Sequence, residues 1–366
     1  MAEGYASYQF KLEVLSPVAA DSPFDSDTLW GRIVCALMEG SPDERTLAGA
    51  WLASLRETGG DPHSGWQPPL IVSEGFPCDK DGRPWLPVPL ALRLKWETAD
   101  PKTSDLSRKE IKKLERVPEE VFFDLCEGKE PGFRDLQKLC EEAPRIVPSL
   151  QPHLAMDRLS GTGIEGMLYM MSLSVYRAGP EAPEGSELSR KAGREPPPRI
   201  CFFLKMLESV DSKLIASALE RLCDEGWGHA KSRGLGRVGF TPIEPWQPRK
   251  FEGTPNGFVS LSHFCPAADN PTKGCWKIRA KHPVPPQFVD GKRVELGSGK
   301  KWRPQSILRL TPGSCFELGE SKDLEDYYGR MISSEELLKD FTPDVDPAVF
   351  HYALALPWPV CFPNPA

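Results

Sequence analysis

From Tyr8 to Val14 apolar and polar residues alternate, the period of a half-buried strand. The period changes after Asp25. Leu29, Ile33 and Leu37 recur every fourth residue with Trp30, Val34 and Met38 beside them, which predicts an amphipathic helix. Asp25 or Ser26 is its expected N-cap, and Asp27 stands at the positive end of the helix dipole. Gly31 lowers helix propensity, so close approach of a neighbour is expected there. Thr46–Thr58 predicts a second, short helix, and Leu86–Trp96 reads as a strand after a proline-rich stretch. Ser104–Glu142 is charged, mostly helical in pattern and has the character of an insertion. His153–Arg158 and Met167–Arg177 read as strands flanking Leu159–Gly166. A polar loop, Ala178–Arg194, precedes a buried strand at Arg199–Leu207 and an amphipathic helix at Asp211–Glu225. The glycine-rich turn Gly226–Gly239 then enters a strand ending near Phe240.

This order predicts an α+β fold, ferredoxin-like (RRM-like, βαββαβ), over residues 1–245, with insertions at about 99–150 and 178–198 and the glycine-rich loop at 226–240. Pro242–Lys250 reads as a boundary. Residues 246–366 form a second, smaller, strand-rich domain, with strands at Gly257–Phe264, Cys275–Lys281, Arg293–Leu296, Ser306–Leu310, Cys315–Leu318 and His351–Ala355 and one helix at Ser333–Lys339. Proline supports this reading: 38 of 366 residues is about twice the usual ~5%. Such a content argues against a helical bundle or a doubly wound α/β enzyme and favours strands joined by stiff loops. No tandem repeat at a solenoid period is present.

Hydrophobic residues make up 40% of the chain, too many for a disordered polymer. No apolar run reaches the ~18–20 residues of a membrane span, and Met1–Tyr8 lacks a signal-peptide layout, so a cytoplasmic protein is expected. The ten cysteines form no CxxC and several lie in apolar runs, as expected of core thiols in a reducing compartment. His263-x-Cys265 with Cys275 lacks finger spacing and a fourth ligand, so neither a metal nor a cofactor is expected. The net charge is −7, but it is uneven. Trp227–Lys250 holds five basic residues against one acidic, and Lys277–Arg309 nine against two. An acidic chain with two basic stretches can present one face to a polyanion.

Two segments contain G-x-G-x-x-G, Gly161–Gly166 and Gly234–Gly239. A dinucleotide site needs a strand before the glycines and a helix after them. Gly234 has helix before and strand after, and Gly161 lies between strands, so neither is a nucleotide fingerprint. A nucleotide-dependent enzyme is therefore disfavoured. A glycine turn still exposes backbone N–H groups, and Lys231, Arg233 and Arg237 surround this one, as phosphate oxygens require. Arg233–Phe240 carries Leu235 and Arg237 where an RNA-recognition motif has stacking aromatics, which favours backbone cradling over base stacking. A plain structural turn with solvated arginines is the alternative. Lys277, Arg279 and Lys281 alternate with Trp276, Ile278 and Ala280, giving a strand with one basic and one apolar face. Such a strand serves equally as an RNA face or as a lysine-blunted sheet edge.

Ser26-Asp27-Thr28-Leu29-Trp30-Gly31, His153–Thr162 before Gly166-Met167-Leu168-Tyr169, and Ser232–Phe240 after a helix occur in an order that resembles the RAMP superfamily of CRISPR-associated proteins. Within it they are similar to the subunit-four family of the type III-A (Csm) effector complexes. Gly313–Phe316 and Tyr352–Pro357 are similar to that family's C-terminal strands, so the resemblance spans nearly the whole chain. The charged Ser104–Glu142 segment and Trp227 and His229 depart from the pattern.

The resemblance implies a non-catalytic subunit of an RNA-guided complex. It would cap the 5′ repeat-derived handle of the guide RNA and dock the large polymerase-like signature subunit beside RAMP backbone subunits. The Arg158–Gly166 loop would act as a thumb-like element near the target RNA duplex. The RNA-binding residues so implied are His229, Lys231, Ser232, Arg233, Gly234, Leu235, Gly236 and Arg237 in the glycine loop, Arg158, Ser160, Gly161 and Thr162 in the hairpin loop, and Ser26 and Arg32 on the first helix. A guide-processing RAMP endoribonuclease is a competing reading, but neither the first strand nor the first helix has the histidine such an enzyme needs. A target-cleaving backbone subunit would use a loop aspartate from among Asp21, Asp25 and Asp27. A protein–protein scaffold without RNA contact is a third reading.

Overall fold

A computed structural model describes residues 3–19, 24–61, 64–98, 114–129, 133–156, 160, 162–178, 196–228, 230–282, 288–289, 292–293, 306–319, 323–337 and 350–362. The chain opens with β1 (Tyr5–Val14), α1 (Ser26–Glu39) and α2 (Pro42–Thr58). Asp25 caps α1, its Oδ1 accepting from the Thr28 N–H at 2.7 Å. Helix α2 begins earlier than its apolar pattern shows, because Ser41 and Glu44 close a reciprocal capping box around Pro42. Two short strands follow, β2 (Leu70–Val72) and β3 (Phe76–Pro77). Next come β4 (Trp85–Pro87), α3 (Leu90–Thr98), β5 (Arg116–Pro118), α4 (Glu119–Cys126) and α5 (Phe133–Glu142). The expected strand Leu86–Trp96 is thus a short strand followed by a helix. Pro87 and Pro89 end the strand, and the Pro89 carbonyl accepts from Leu92 and Arg93 to start the helical turn.

A long hairpin, β6 (Arg145–Met156) and β7 (Gly163–Arg177), precedes β8 (Arg199–Leu207) and α6 (Ser212–Glu225). After the glycine loop come β9 (Val238–Phe240) and β10 (Glu244–Pro245). In the main sheet β1 lies antiparallel to β8, from Tyr5 opposite Leu207 to Glu13 opposite Arg199. Strands β9 and β10 follow one another along the other edge of β1, and β2 and β3 along the far edge of β8. The second strand of this sheet is therefore Leu70–Val72, in the proline-rich stretch, and not the 145–177 hairpin. Three apolar residues are too few to show a period.

Strand β8 shows why its sequence is an unbroken apolar run. Ile200, Phe202, Leu204 and Met206 face α1 and α6 in one core with Phe10, Leu12, Ile33 and Leu219. Cys201 and Phe203 face the opposite way into a second core with Phe122, Leu125, Trp246, Val259 and Trp358. At β8 the sheet is buried on both faces. The described part of the Ser104–Glu142 segment accordingly contributes to the core: Leu114, Val117, Phe122, Phe123, Leu125 and Cys126 are buried.

Beyond the Pro242–Lys250 stretch the chain is built of short strands: β11 (Gly257–Ser260), β12 (Gly274–Cys275), β13 (Ile278–Lys281), β14 (Phe288–Val289), β15 (Lys292–Arg293), β16 (Ile307–Leu310) and β17 (Cys315–Glu317). β11 is flanked by β17 and by Pro357–Val360. β13 pairs with β16, setting Arg279 opposite Arg309 and Lys281 opposite Ile307. Of the helix expected at Ser333–Lys339, Ser334–Leu337 is helical, and 338 and 339 lie outside the described residues. Gly31 has no close neighbour, since a Cβ there would meet nothing within 4 Å among the described residues.

Candidate nucleic-acid interface

The glycine loop is a turn held at both ends by the segment that leaves β1. The Trp227 N–H donates to the Gly236 carbonyl at 2.7 Å, and the Gly236 N–H donates to the Pro17 carbonyl at 2.8 Å. Leu15 N–H donates to the Arg237 carbonyl at 2.9 Å, and Arg237 N–H donates to Ser16 Oγ at 2.8 Å. Trp227 is fully buried and packs its ring 5.3 Å from that of Phe24. Gly236 has φ 69°, and a Cβ on it would stand 1.7 Å from the Trp227 carbonyl oxygen, so only glycine fits. Between these anchors Lys231–Arg233 forms one 3₁₀ turn, entered by Ala230 at φ 57° and left by Gly234 at φ 80°. Ala230 is the one non-glycine residue at positive φ among the described residues, a strained position that the anchors on either side impose.

The turn places its cations outward. Lys231, Ser232, Arg233, Gly234 and Arg237 are exposed, Leu235 is half-buried and Gly236 is buried. Lys231 Nζ lies 3.8 Å from Glu225. Arg32, on α1, does not project with them. Its Nη2 donates to the Gly226 carbonyl at 2.9 Å, and its guanidinium lies 4.5 Å from the centre of the Trp227 ring. Burial lowers its pKa, against the opposing pull of Glu225. Arg32 therefore braces the entry to the loop, a role the helical pattern around Leu29 and Ile33 did not reveal. Ser26 is buried at the start of α1; its N–H donates to Glu74 Oε2 at 3.3 Å, and its Oγ has no hydrogen-bond partner among the described residues.

The hairpin is longer than its sequence pattern predicts, with Arg145 opposite Arg177 at its base and Met156 opposite Gly163 beyond a bulge. Pro148 and Pro152 interrupt the alternation and hide the first half of β6. At the base Val18 bridges to Ser174, and Tyr176 packs against Phe24, 5.3 Å between ring centres. Ser160 Oγ and Thr162 Oγ1 are 2.7 Å apart. Arg158, Gly161 and His229 lie outside the described residues.

The second basic stretch differs from its sequence reading. Lys281 Nζ lies 3.3 Å from Asp25 Oδ2 and also pairs with Asp27, and Arg309 Nη2 lies 3.2 Å from Asp25 Oδ2. Asp27 Oδ1 accepts from the Tyr352 N–H at 2.9 Å, and its other oxygen lies 3.5 Å from His351 Nδ1. Burial would raise both carboxyls, but Lys281 and Arg309 outweigh it at Asp25, and His351 and Lys281 outweigh it at Asp27, so both pKa values are held low. The basic face of β13 is thus split: Lys281 is committed internally while Lys277 and Arg279 are exposed. His263 Nδ1 lies 2.8 Å from Glu74, Cys265 Sγ–H donates to the Leu308 carbonyl, and among the described residues no cluster suits a metal ion. No described helix is long and apolar enough to cross a membrane.

No family model and no curated protein matches the chain. Among solved structures it is similar to a chain of the Csm1–Csm4 cassette in complex with cA4, at 17% identity and TM-score 0.53, over 98% of this chain and 100% of that one. The same cassette in complex with pppApA matches at 17% identity and TM-score 0.51, with the same coverage. The chain therefore has the fold of a Csm1–Csm4 cassette subunit, as its sequence resemblance to the Csm subunit-four family implies.

Proposed function

We propose that the chain is a non-catalytic subunit of a type III-A CRISPR effector, that its main sheet is ferredoxin-like, and that its glycine loop holds the 5′ handle of the guide RNA. The observation that carries this reading is the 231–237 turn: a backbone fixed from both sides, three exposed cations, and an exposed Gly234 that admits a phosphate at close range. The fold shared with the cassette supports docking to the large signature subunit. Of the three aspartates that a loop-aspartate nuclease would draw on, Asp21 lies outside the described residues, and Asp25 and Asp27 are committed elsewhere. Bound to cations and held at low pKa, they are poor proton acceptors, which supports a binding role.

The test is retention of guide RNA by the assembled complex. Arg233→Glu with Arg237→Glu should lower retention most at low salt and flatten its dependence on salt, because each lost phosphate contact removes a counterion-release contribution. Equal retention across the salt series would remove the loop from the RNA path. A complex that assembles fully without RNA would favour the scaffold reading.

A further inference from the structure

A cleft of about 450 Å³ opens between the N-terminal end of α3, the β5 region, β13 and the turn that follows β16. Its polar wall is made by Arg93, Arg116, Lys277, Arg279, Glu74 and His263. Of its two carboxylates, Glu74 is occupied by His263 Nδ1 at 2.8 Å and by the Ser26 N–H at 3.3 Å. Glu115 lies 4.0 Å from Arg93 and is largely exposed. Arg116, Lys277 and Arg279 have no ion-pair partner among the described residues. Arg279 also stands directly opposite Arg309, whose own charge is taken by Asp25. Four cations, Arg93, Arg116, Lys277 and Arg279, against the two carboxylates leave the concave wall net positive and focus a positive potential into the cleft, which an anion relieves.

We infer that this cleft is a second RNA subsite, separate from the glycine loop, that takes one unstacked ribonucleotide: its phosphate on Arg116, Lys277 and Arg279, its ribose toward His263. The inference rests on the reading that the chain holds RNA, but not on the glycine loop. The volume suits one nucleotide, and Val88, Leu90 and Ile278 supply an apolar side for a base or sugar. Glu74 fixes the imidazole by accepting from Nδ1–H, and Nε2, an acceptor in the neutral ring and a donor in the charged one, is the nitrogen left to meet a ribose 2′-hydroxyl. That hydroxyl is what lets a protein distinguish RNA from DNA. Glu74 also ties the cleft to the start of α1 through Ser26, and Phe24, two residues before Ser26, packs on Trp227 of the glycine loop. The two subsites thus lie on one connected part of the fold.

The experiment is fluorescence anisotropy of the full chain with a labelled single-stranded RNA of about ten nucleotides and its DNA counterpart, titrated across a salt series. Arg116→Glu with Arg279→Glu breaks no described ion pair, so the thermal midpoint should stay close to that of the unsubstituted chain. Two lost phosphate contacts should flatten the slope of log K against log salt by about 1.4. His263→Ala should reduce RNA affinity about fivefold, leave DNA affinity unchanged and leave the salt slope unchanged. Affinity and slope unaltered in the cleft double variant would overturn the inference. If only Arg233→Glu with Arg237→Glu weakened binding, the cleft would fail and the loop reading would stand; if only the cleft variant did, the loop reading would fail and the cleft would stand. Saturation by adenosine 5′-monophosphate, with oligonucleotide binding indifferent to the cleft substitutions, would assign the cleft to a free nucleotide and overturn the RNA assignment.

Discussion

In the glycine loop Lys231, Arg233 and Arg237 stand exposed on a turn whose backbone is tied to Leu15–Pro17, whereas in β13 and β16 Lys281 and Arg309 turn inward onto Asp25 and Asp27. By composition the second stretch is the more basic. The difference lies in geometry. The turn is held through its backbone and turns only Leu235 and Gly236 inward, so all its cations reach solvent. A paired strand has two faces, and one of those in β13–β16 closes over the start of α1, where two carboxylates already wait. A charge count reads the sum along the chain; only the fold decides which charges remain for a polyanion.

The strongest way to break this contrast is Asp25→Ala. It removes the N-cap of α1 and strands Arg309, which is 3% exposed, without its carboxylate partner. Loss of one partner from a buried pair costs about 3–5 kcal/mol, read as a fall in the denaturant midpoint. Arg309 Nε and Nη1 already have no hydrogen-bond partner among the described residues, so Asp25→Asn with Arg309→Met should recover much of that loss. The same cluster sets an acid limit. Asp25 and Asp27 have folded pKa values below their unfolded ones, so their contribution is complete above about pH 4 and is lost as pH falls through the folded values. Reversing charge at Arg233 and Arg237 should leave both stability and its acid limb within about 0.5 kcal/mol of the original. A loop variant as unstable as Asp25→Ala would erase the distinction between the two stretches.

Within the loop the two glycines separate anchoring from projection. Gly236→Ala would drive a Cβ into the Trp227 carbonyl at a left-handed backbone position and should cost about 3 kcal/mol or more. At Gly234, φ 80°, a Cβ would meet nothing within 4 Å, so Gly234→Ala should cost only the left-handed penalty of about 1–2 kcal/mol. Thermal unfolding of the two variants checks the order. Equal losses would mean that the turn is not pinned through Gly236.

What was legible in the sequence follows from period and length. The strand Tyr8–Val14, the run Arg199–Leu207 and the helix Asp211–Glu225 are long enough for a pattern to show, and all three are elements of the structure. Leu70–Val72 has no room for a period, and prolines mask the start of β6. In the site, the glycines and cations of the loop were visible because a turn is a local object. Arg32 bracing Trp227, and Asp27 reaching Tyr352, Lys281 and His351, are contacts between residues 195 or more positions apart, and no local pattern carries them.

A small effect of opposite sign is expected at Gly31, and it tests the contrast from the other side. Gly236 is required by its own surroundings, while Gly31 sits in the interior of α1 with nothing within 4 Å of a Cβ among the described residues. Its backbone is not at positive φ, so alanine fits without strain. Glycine in a helix interior costs about 0.8–1.0 kcal/mol relative to alanine, chiefly through the freedom it has to give up on folding. Gly31→Ala should therefore raise the stability of the isolated chain by about 0.5–1 kcal/mol, seen as a small rise in the thermal midpoint, with guide-RNA retention unchanged. A stabilised chain that nevertheless lost RNA or failed to assemble would show that the space over Gly31 is filled by a partner, and would place α1 beside the glycine loop as a contact surface.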